Sequence, residues 1–417
     1  CAPMQIVDSS DRAAVRRLVD RRDDVDPGLT RRVARIVSAV RRSGDEALLR
    51  YARRFDGLDG PVEVSPEEMR AGLETVPAEL RAALRTAAGH IRRIARRQLP
   101  RGWRTTVTGG VEIEQRVTPL ERVGCYVPAG RYPLPSSLLM TAVPARVAGV
   151  PEVLVTCPRP DPATLAAAAI AGVTRMFRLG GAHAVAALAY GTATVPRVDK
   201  IVGPGSAWVA AAKALVSADC PIDFHAGPTE IVIVAARGET RWIAADLIAQ
   251  AEHAPDARSI VLTPDRRFAA RVARQVEKRL PADGPARTSI ERNGVIVVTG
   301  SLDEAVDLAN DIAPEHLVCL DEEVAARATR AGTVFIGPHA AQAAGDYATG
   351  SNHVLPTGGA ARFRGGLSAS DFVSVQSAQR ITREGLEALA PTILTLAEAE
   401  GLTAHAESVR VRVKGSR

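Results

Sequence analysis

The stretch PEVLVTCPRPDPATLAAAAIAGVTRMFRLG (Pro151–Gly180) decides the fold class, because a strand, a helix and a second strand follow one another within it. Val153–Thr156 is a fully apolar run that predicts a buried strand. Pro162–Gly172 begins with proline and ends with glycine, which is typical of a helix, and Arg175–Leu179 is again strand-like. Apolar strands that alternate with helices indicate a parallel sheet that is buried on both faces.

The same alternation continues on both sides of this stretch. It begins near Gly124 and runs to Leu215, and a second series of strands and helices runs from Ile231 to Ile336. Residues 8–100 predict helices instead, since their apolar residues recur at three- and four-residue spacing. These helices are Asp8–Asp20, Pro27–Gly44 and Ser65–Gln98; they are followed by a strand at Val111–Val117, and a helix at Arg383–Glu400 lies in the tail.

Charge and composition favour an enzyme of the cytoplasm over a nucleic-acid or membrane protein. The 417 residues contain 53 Lys and Arg against 47 Asp and Glu, so the net charge is only +6. The densest basic stretch, Arg92–Arg104, has no recognition motif and is interpreted as a solvated helix face. No apolar run approaches the ~20 residues of a membrane helix, and no signal peptide is evident. The five cysteines are scattered, which indicates reduced thiols in the cytoplasm.

Two short motifs offer metal ligands. Gln250 and His253 are three residues apart near a predicted helix end, so their side chains share one face and present an oxygen and a nitrogen to a metal. A histidine that caps backbone carbonyls is the alternative. Asp346 and His353 lie in a glycine-punctuated segment that predicts a loop. These residues could bind a metal or substrate, or Asp346 could simply satisfy a turn.

Two further motifs offer acid–base groups. Glu315 and His316 are adjacent, which gives one place two groups with different pKa values, provided that Pro314 makes the backbone irregular. Two exposed polar residues are the alternative interpretation. Gly401 should end the last long helix and leave His405 beyond it, five residues after Glu400.

Together, in this order, the motifs resemble the histidinol dehydrogenase family over essentially the whole chain. The motifs are QAEH (Gln250–His253), APEHL (Ala313–Leu317), GDYATGSNHVLPT (Gly345–Thr357) and EGLTAH (Glu400–His405). Four earlier runs fit the same family: GCYVP from Gly124, PLPSSLLM from Pro133, GPG from Gly203 and AGPTE from Ala226.

The resemblance implies a role for each matching residue. One zinc ion per subunit would be bound by Gln250, His253, Asp346 and His405. Glu315 and His316 would be the acid–base pair that acts on the reacting alcohol. Substrate contacts would come from the following residues: Thr229, His316, Gln342, His353 and Glu400. In the family, the residues that match Glu400 and His405 come from the partner subunit, which implies a homodimer with shared active sites.

The NAD site of the family is matched less completely. Its tyrosine is present as Tyr126, whereas His183 stands where the family has glutamine and Ser206 where it has asparagine. Gln342 stands where many members have glutamate. The segment from Pro128 to Pro133, which includes Arg131, is similar to paralogues that oxidise other small polar alcohols, such as sulfopropanediol.

The sequence therefore predicts an α/β protein with two incomplete Rossmann-like parallel-sheet domains, a small N-terminal arm and a helical C-terminal tail. The first domain is expected from residues 24–125 and 230–358, the second, on the NAD side, from 126–229, the arm from 1–23 and the swapped tail from 359–417. The predicted activity is oxidation of L-histidinol to L-histidine in two NAD-dependent steps, a reaction of histidine biosynthesis. Two alternatives stay open: another polar alcohol as substrate, or a zinc-binding protein whose NAD site has decayed.

Overall fold

The computed structural model describes residues 4–20, 26–129, 132–225 and 227–414. Arg131, which belongs to the expected paralogue-like segment, lies outside the described residues. The strands are β1 Gln5–Asp8, β2 Glu63–Val64, β3 Trp103–Thr108, β4 Val111–Pro119, β5 Arg122–Tyr126, β6 Glu152–Thr156, β7 Arg175–Phe177, β8 Lys200–Val202, β9 Glu230–Val234, β10 Arg258–Thr263, β11 Gly294–Val298, β12 His316–Cys319, β13 Thr333–Ile336 and β14 Val373–Ile381.

The helices follow the β/α rhythm of the sequence. They are α1 Arg12–Val19, α2 Pro27–Tyr51, α3 Pro66–Thr75, α4 Ala78–Gln98, α5 Pro135–Val147, α6 Pro162–Ala171, α7 Gly181–Tyr190, α8 Ala207–Val216, α9 Thr240–Ala251, α10 Arg266–Arg279, α11 Pro285–Asn293, α12 Leu302–Ile312, α13 Glu322–Ala326, α14 Gln342–Tyr347, α15 Arg383–Ala399 and α16 Thr403–Lys414. A π-helical turn, Ala52–Asp56, continues α2. In the described part of the chain, no helix is both long and apolar enough to cross a membrane.

A six-stranded sheet has the order β1-β11-β10-β9-β12-β13, and all of its strand pairs are parallel. Helices α9, α10 and α11 cover one face, where Leu247 and Phe268 are fully buried. Helix α12 covers the other face through residues such as Val306 and Ile312. Burial on both faces explains why β9 consists almost entirely of β-branched apolar residues.

A five-stranded sheet has the order β2-β7-β6-β5-β8; β2 is antiparallel to β7, and the other pairs are parallel. The chain moves outward from β5 to β6 and β7, then crosses back to place β8 on the other side of β5. The strand order therefore reverses between β5 and β8, which is where open α/β sheets form a ligand crevice. Helices α2, α7 and α8 share one buried core beside this sheet.

In the first hundred residues, the helices differ from the expected ones at three places. Asp8 belongs to strand β1, so the first helix begins only at Arg12. Gly44 does not end α2 but kinks it, at φ 50°. The single helix expected from Ser65 to Gln98 is two helices, because Pro77 interrupts the hydrogen-bonding pattern between them.

The grouping of segments also differs from the expected domains. The expected arm contributes β1 to the six-stranded sheet. Helix α2 and strand β2, expected with that sheet, lie instead with the five-stranded sheet, as does β5. An apolar helix face shows that a helix is packed but does not specify the sheet it covers, which is why the sequence misassigned these segments.

The chain divides into two compact units, residues 1–97 with 121–372 and residues 98–120 with 373–417. The second unit therefore combines most of the expected tail, residues 373–417, with residues 98–120, which were expected in the first domain. In this unit β4 is the central strand of an antiparallel sheet, with β3 and β14 on its two sides. Helices α15 and α16 pack against each other.

Candidate active site

Several of the residues predicted to act on substrate lie at the amino edge of the six-stranded sheet. Glu230 is the first residue of β9 and His316 the first of β12, and these neighbouring strands are paired in register. Helix α9 runs back from the carboxyl edge, so its last turn carries Gln250 to the same amino edge. The parallel sheet therefore brings together residues that are far apart in the sequence.

Glu315, Thr229 and Gln250 form a buried chain of hydrogen bonds. The Thr229 hydroxyl donates to Glu315 Oε2, which also accepts the Glu230 backbone N–H at 2.9 Å. The Gln250 amide donates to Thr229 Oγ1 at 2.6 Å. Burial raises the pKa of Glu315 to about 8, although these hydrogen bonds act in the opposite direction. The carboxyl group can therefore hold or release a proton near neutral pH.

His316 is held as a neutral imidazole. Its Nδ1 lies 3.1 Å from the carbonyl oxygen of Glu230. A carbonyl can only accept, so we infer that Nδ1 carries the proton and Nε2 has a free lone pair. Burial lowers the pKa of His316, which favours the neutral form. Nε2 is 4.0 Å from Asp346 Oδ1, on the side that faces the expected metal ligands.

The Gln250 carbonyl oxygen is the clearest sign of a missing partner. Oε1 is buried and has no hydrogen-bond partner among the described residues, whereas Nε2 is held by Thr229. An unsatisfied buried oxygen is costly, so native structures rarely retain one without a ligand. His253 follows three residues later, just beyond α9, and desolvation by the surrounding protein lowers its pKa. Neutral imidazole is the form that binds zinc.

Asp346 lies in helix α14 and not in the loop that the sequence predicted. The short helix places Gln342 four residues earlier on the same face, and its buried amide donates to Asp346 Oδ2 at 2.6 Å. Burial raises the pKa of Asp346 to about 6. The sequence missed this helix because its glycine and polar residues favour turns. The amide of Gln342 thus steadies one carboxylate oxygen and leaves the other facing His316.

His353 is fixed at both ring nitrogens. Nδ1 lies 3.0 Å from the Asp346 carbonyl oxygen and Nε2 lies 3.2 Å from Ser137 Oγ. Nδ1 therefore carries the proton, and Nε2 accepts the serine hydroxyl. Burial lowers the pKa of His353 to about 4. Ser137 on α5 was not singled out by sequence analysis, although it lies within the quoted run PLPSSLLM.

Glu400 and His405 belong to the second compact unit. Gly401, at φ 73°, follows the end of α15, as expected. His405 is not in a loop but in the first turn of α16, because the chain resumes a helix at Thr403. Both side chains are exposed to solvent. Among the described residues, no group of three or more His, Cys, Asp or Glu side chains could hold a metal ion.

Of the three predicted cofactor residues, Tyr126 and Ser206 lie beside the crevice between β5 and β8, and His183 lies on α7. Tyr126 ends β5, and its hydroxyl accepts the Gly181 N–H at 3.0 Å, where α7 begins. Burial raises the pKa of Tyr126 to about 12, so the phenol is neutral. Ser206 is the N-terminal cap residue of α8 and is exposed; its hydroxyl makes no capping hydrogen bond. The hydroxyl is therefore available to a ligand.

His183 has a partner that the sequence did not predict. Its Nε2 lies 2.7 Å from Asp56 Oδ2, and both side chains are buried. The same carboxylate oxygen accepts the Gly180 N–H at 2.9 Å. Asp56 thus holds both the glycine turn and the histidine in place. No sequence signal indicated this pairing, because 127 residues separate the two.

Comparisons with known proteins place the chain in one family. The family model described as histidinol dehydrogenase matches residues 19–413. A histidinol dehydrogenase of Syntrophotalea carbinolica is 48% identical over 423 aligned positions, which cover 98% of each chain. One of Methanothermobacter thermautotrophicus is 46% identical and covers 96% of this chain and 97% of that protein. The crystal structure of histidinol dehydrogenase from Elizabethkingia anophelis superimposes with a TM-score of 0.94 at 33% identity, covering 99% of both chains.

Proposed function

This chain belongs to the histidinol dehydrogenase family, and from that premise we propose that it oxidises L-histidinol to L-histidine with NAD as hydride acceptor and zinc as the metal that orients the substrate. Family membership confirms the predicted resemblance, the α/β fold and the assignment as an oxidoreductase that acts on an alcohol group. The observation that carries the proposal is the buried oxygen of Gln250, which has no partner among the described residues, while the amide nitrogen of the same side chain is hydrogen-bonded to Thr229 and through it to Glu315.

The residues present suit zinc. Gln250 supplies an oxygen without a protein partner, His253 a neutral nitrogen, and Asp346 a carboxylate oxygen whose neighbour is held by Gln342. We propose His405 of a second subunit as the fourth ligand, which makes the enzyme a homodimer with shared sites, and Glu400 as a contact to the far side of the substrate. Zinc would hold the polar groups of the substrate and stabilise negative charge on its oxygen.

His316 is proposed as the base in both oxidation steps. Its Nε2 is free because Nδ1 donates to the Glu230 carbonyl, and its low pKa keeps it neutral at pH 7. The imidazole can therefore accept the hydroxyl proton as hydride leaves the neighbouring carbon. NAD would accept that hydride, and Tyr126, His183 and Ser206 are proposed to contribute its site.

Glu315 is proposed to act when the aldehyde becomes an acid. That conversion requires a water molecule to add to the aldehyde carbon. The carboxyl group is buried, and its Oε2 lies 3.7 Å from His316 Nδ1. Its pKa of about 8 makes the carboxylate a strong enough base to remove a proton from water near neutral pH. His353, which burial keeps neutral, is proposed as a further contact to the substrate, as are Thr229 and Gln342.

The formation of NADH from a panel of alcohols tests this proposal. L-Histidinol, other amino alcohols and sulfopropanediol are compared with zinc fully loaded, with NAD and, separately, NADP. We expect kcat/KM for L-histidinol with NAD of at least ~10⁴ M⁻¹s⁻¹. A value lower by about two orders of magnitude than that for another alcohol would refute the substrate assignment, since selectivity follows differences in kcat/KM.

A further inference from the structure

A buried ion pair lies apart from the residues discussed above. Lys213, on the buried face of α8, contacts Asp223 through its ammonium group, and the two residues are 3% and 4% exposed. The core around α8 is otherwise built of apolar residues, such as Val209 and Val216. Buried ion pairs often stabilise a fold less than apolar residues of similar size, because both charges lose their hydration. A further role for this pair is therefore to be sought in the other groups that it binds.

Both charged side chains bind the backbone of Gly203. Asp223 Oδ2 accepts the Gly203 N–H at 2.8 Å, and Lys213 Nζ donates to the Gly203 carbonyl oxygen at 2.9 Å. Gly203 follows the last residue of β8 and has φ 116°, a conformation that only glycine adopts readily. The ion pair thus supplies hydrogen bonds to a residue whose conformation departs from that of the strand.

Gly203 in turn packs directly on Tyr126. A Cβ atom at position 203 would lie 2.2 Å from the Tyr126 carbonyl oxygen. The contact lies between the carboxyl ends of β5 and β8, where the strand order of the sheet reverses. Three residues later, Ser206 is the N-terminal cap residue of α8, the helix that also carries Lys213. The ion pair therefore connects both sides of the proposed cofactor crevice.

Asp223 is held firmly by other contacts. Its Oδ1 accepts the Phe224 N–H at 2.7 Å, and its backbone N–H donates to the Ile201 carbonyl at 3.1 Å. Arg364 donates to the Asp223 carbonyl, and its guanidinium lies over the Phe224 ring, 5.0 Å from the centroid. Asp223 is thus a fixed anchor, and Gly203 takes its position from it.

We propose that Lys213 and Asp223 are positioning residues for the cofactor, which fix the Gly203–Ser206 loop against Tyr126 in the geometry that binds NAD. This inference rests on the proposed NAD-dependent function. Neither side chain needs to touch the cofactor, because both act through the backbone of Gly203. Loss of the clamp should therefore weaken NAD binding more than it slows the reaction of the fully loaded enzyme.

The variant Lys213→Met tests the clamp, with Arg175→Met as the matched control. Arg175 pairs with Glu63 through two hydrogen bonds of 2.7 Å in the same sheet, but on β7, away from the 203–206 loop. Both variants should lower the Tm, since each breaks an ion pair. Calorimetry should show the Kd for NAD raised about tenfold in Lys213→Met alone, the effect of one charge-assisted hydrogen bond. Equal Kd values in the two variants would overturn the inference.

A double variant separates positioning from general stability. Lys213→Met with Asp223→Asn removes both charges, so the Tm should recover in part while the KM for NAD stays high and kcat changes little. Amide hydrogen exchange at Gly203 should be faster in Lys213→Met than in the wild type. Recovery of NAD affinity together with the Tm, or unchanged exchange, would contradict the clamp. A wild-type enzyme that binds no NAD would instead refute the proposed function itself.

Discussion

At the scale of single residues, the nitrogen and the oxygen of the Gln250 side chain have different roles. Its amide nitrogen is committed to Thr229, so rotation of the side chain would break a buried hydrogen bond. This commitment fixes the carbonyl oxygen, which has no partner among the described residues, in one direction. A ligand that is oriented by a second hydrogen bond loses less freedom when the metal binds.

Gln250→Ala should therefore lose zinc. We expect the zinc affinity to fall by at least about 100-fold, the upper range for disrupting groups that orient ligands. Zinc titration followed by metal analysis measures the change, and Gln275→Ala, on α10 and away from the site, serves as the control. Full zinc occupancy in Gln250→Ala at equal zinc concentration would show that the amide oxygen is not a ligand.

Glu315→Gln should separate the two oxidation steps. Glutamine keeps an oxygen that can accept from Thr229 and from the Glu230 N–H, so the site stays assembled, but it cannot remove a proton from water. We expect kcat with L-histidinol to fall by about 10²–10⁴-fold, the usual contribution of a general base. Single-turnover kinetics should show that the first hydride transfer is affected much less than the second. The exposed Glu322→Gln is the control, and an equal loss in both steps would argue against this role.

At the scale of elements, helix α9 places Gln250, a proposed zinc ligand, on a face that is otherwise apolar. Ile243 and Leu247 are buried against the six-stranded sheet, and Gln250 ends the same face at the amino edge. Asp246 is half-buried in the middle of the helix, one turn after Trp242, and burial raises its pKa to about 6. Its carboxylate is therefore a source of instability whenever it is charged.

Asp246→Asn should stabilise the protein at neutral pH. Because the folded-state pKa is raised, the stability that the carboxyl contributes is complete below pH 3.8 and is lost as the pH rises through about 6. At pH 7 the free energy of unfolding of the variant should exceed that of the wild type by about 1–2 kcal/mol, after allowance for partial solvent screening. At pH 4 the two free energies of unfolding should be nearly equal. Urea unfolding at both pH values measures this difference. The exposed Asp256→Asn variant is the control, and its stability relative to the wild type should not change between the two pH values. The same result for Asp246→Asn would contradict the prediction.

At the scale of the whole molecule, the parallel sheets place each predicted site at a different edge. The proposed catalytic residues lie at the amino ends of β9 and β12, whereas the expected cofactor residues Tyr126 and Ser206 lie at the carboxyl ends of β5 and β8. Helix α5 connects the two regions, because Ser137 contacts His353 and the Met140 carbonyl accepts from Asn352 at 2.7 Å. The loop that carries His353 is therefore fixed by the helix that follows β5.

Shared active sites predict activity from a mixture of two inactive variants. His316→Ala and His405→Ala subunits, mixed and allowed to exchange, should recover about a quarter of wild-type activity, because half of the dimers are mixed and each of these has one intact site. Steady-state kinetics measures the recovery. A mixture of His316→Ala with His253→Ala should recover none, since both residues come from the same subunit. Failure of the first mixture despite proven exchange would contradict the shared site.

The sequence by itself determined the fold class and indicated which side chains could bind a metal or transfer protons. Apolar strands such as Val153–Thr156 predicted buried parallel sheets, because only burial on both faces tolerates such runs. Short motifs with fixed spacing brought Gln250, His253, Glu315 and His316 to attention, since local spacing reflects local geometry.

Only the tertiary structure decided which segments meet. Strand order placed Glu230 beside His316, and packing placed Asp56 on His183 and Ser137 on His353. It also assigned α2 to the five-stranded sheet and formed α14 around Asp346. The physical reason is that hydrophobic burial is non-directional, so an apolar face in the sequence does not specify its partner. Contacts between distant residues are selected only when the whole chain packs.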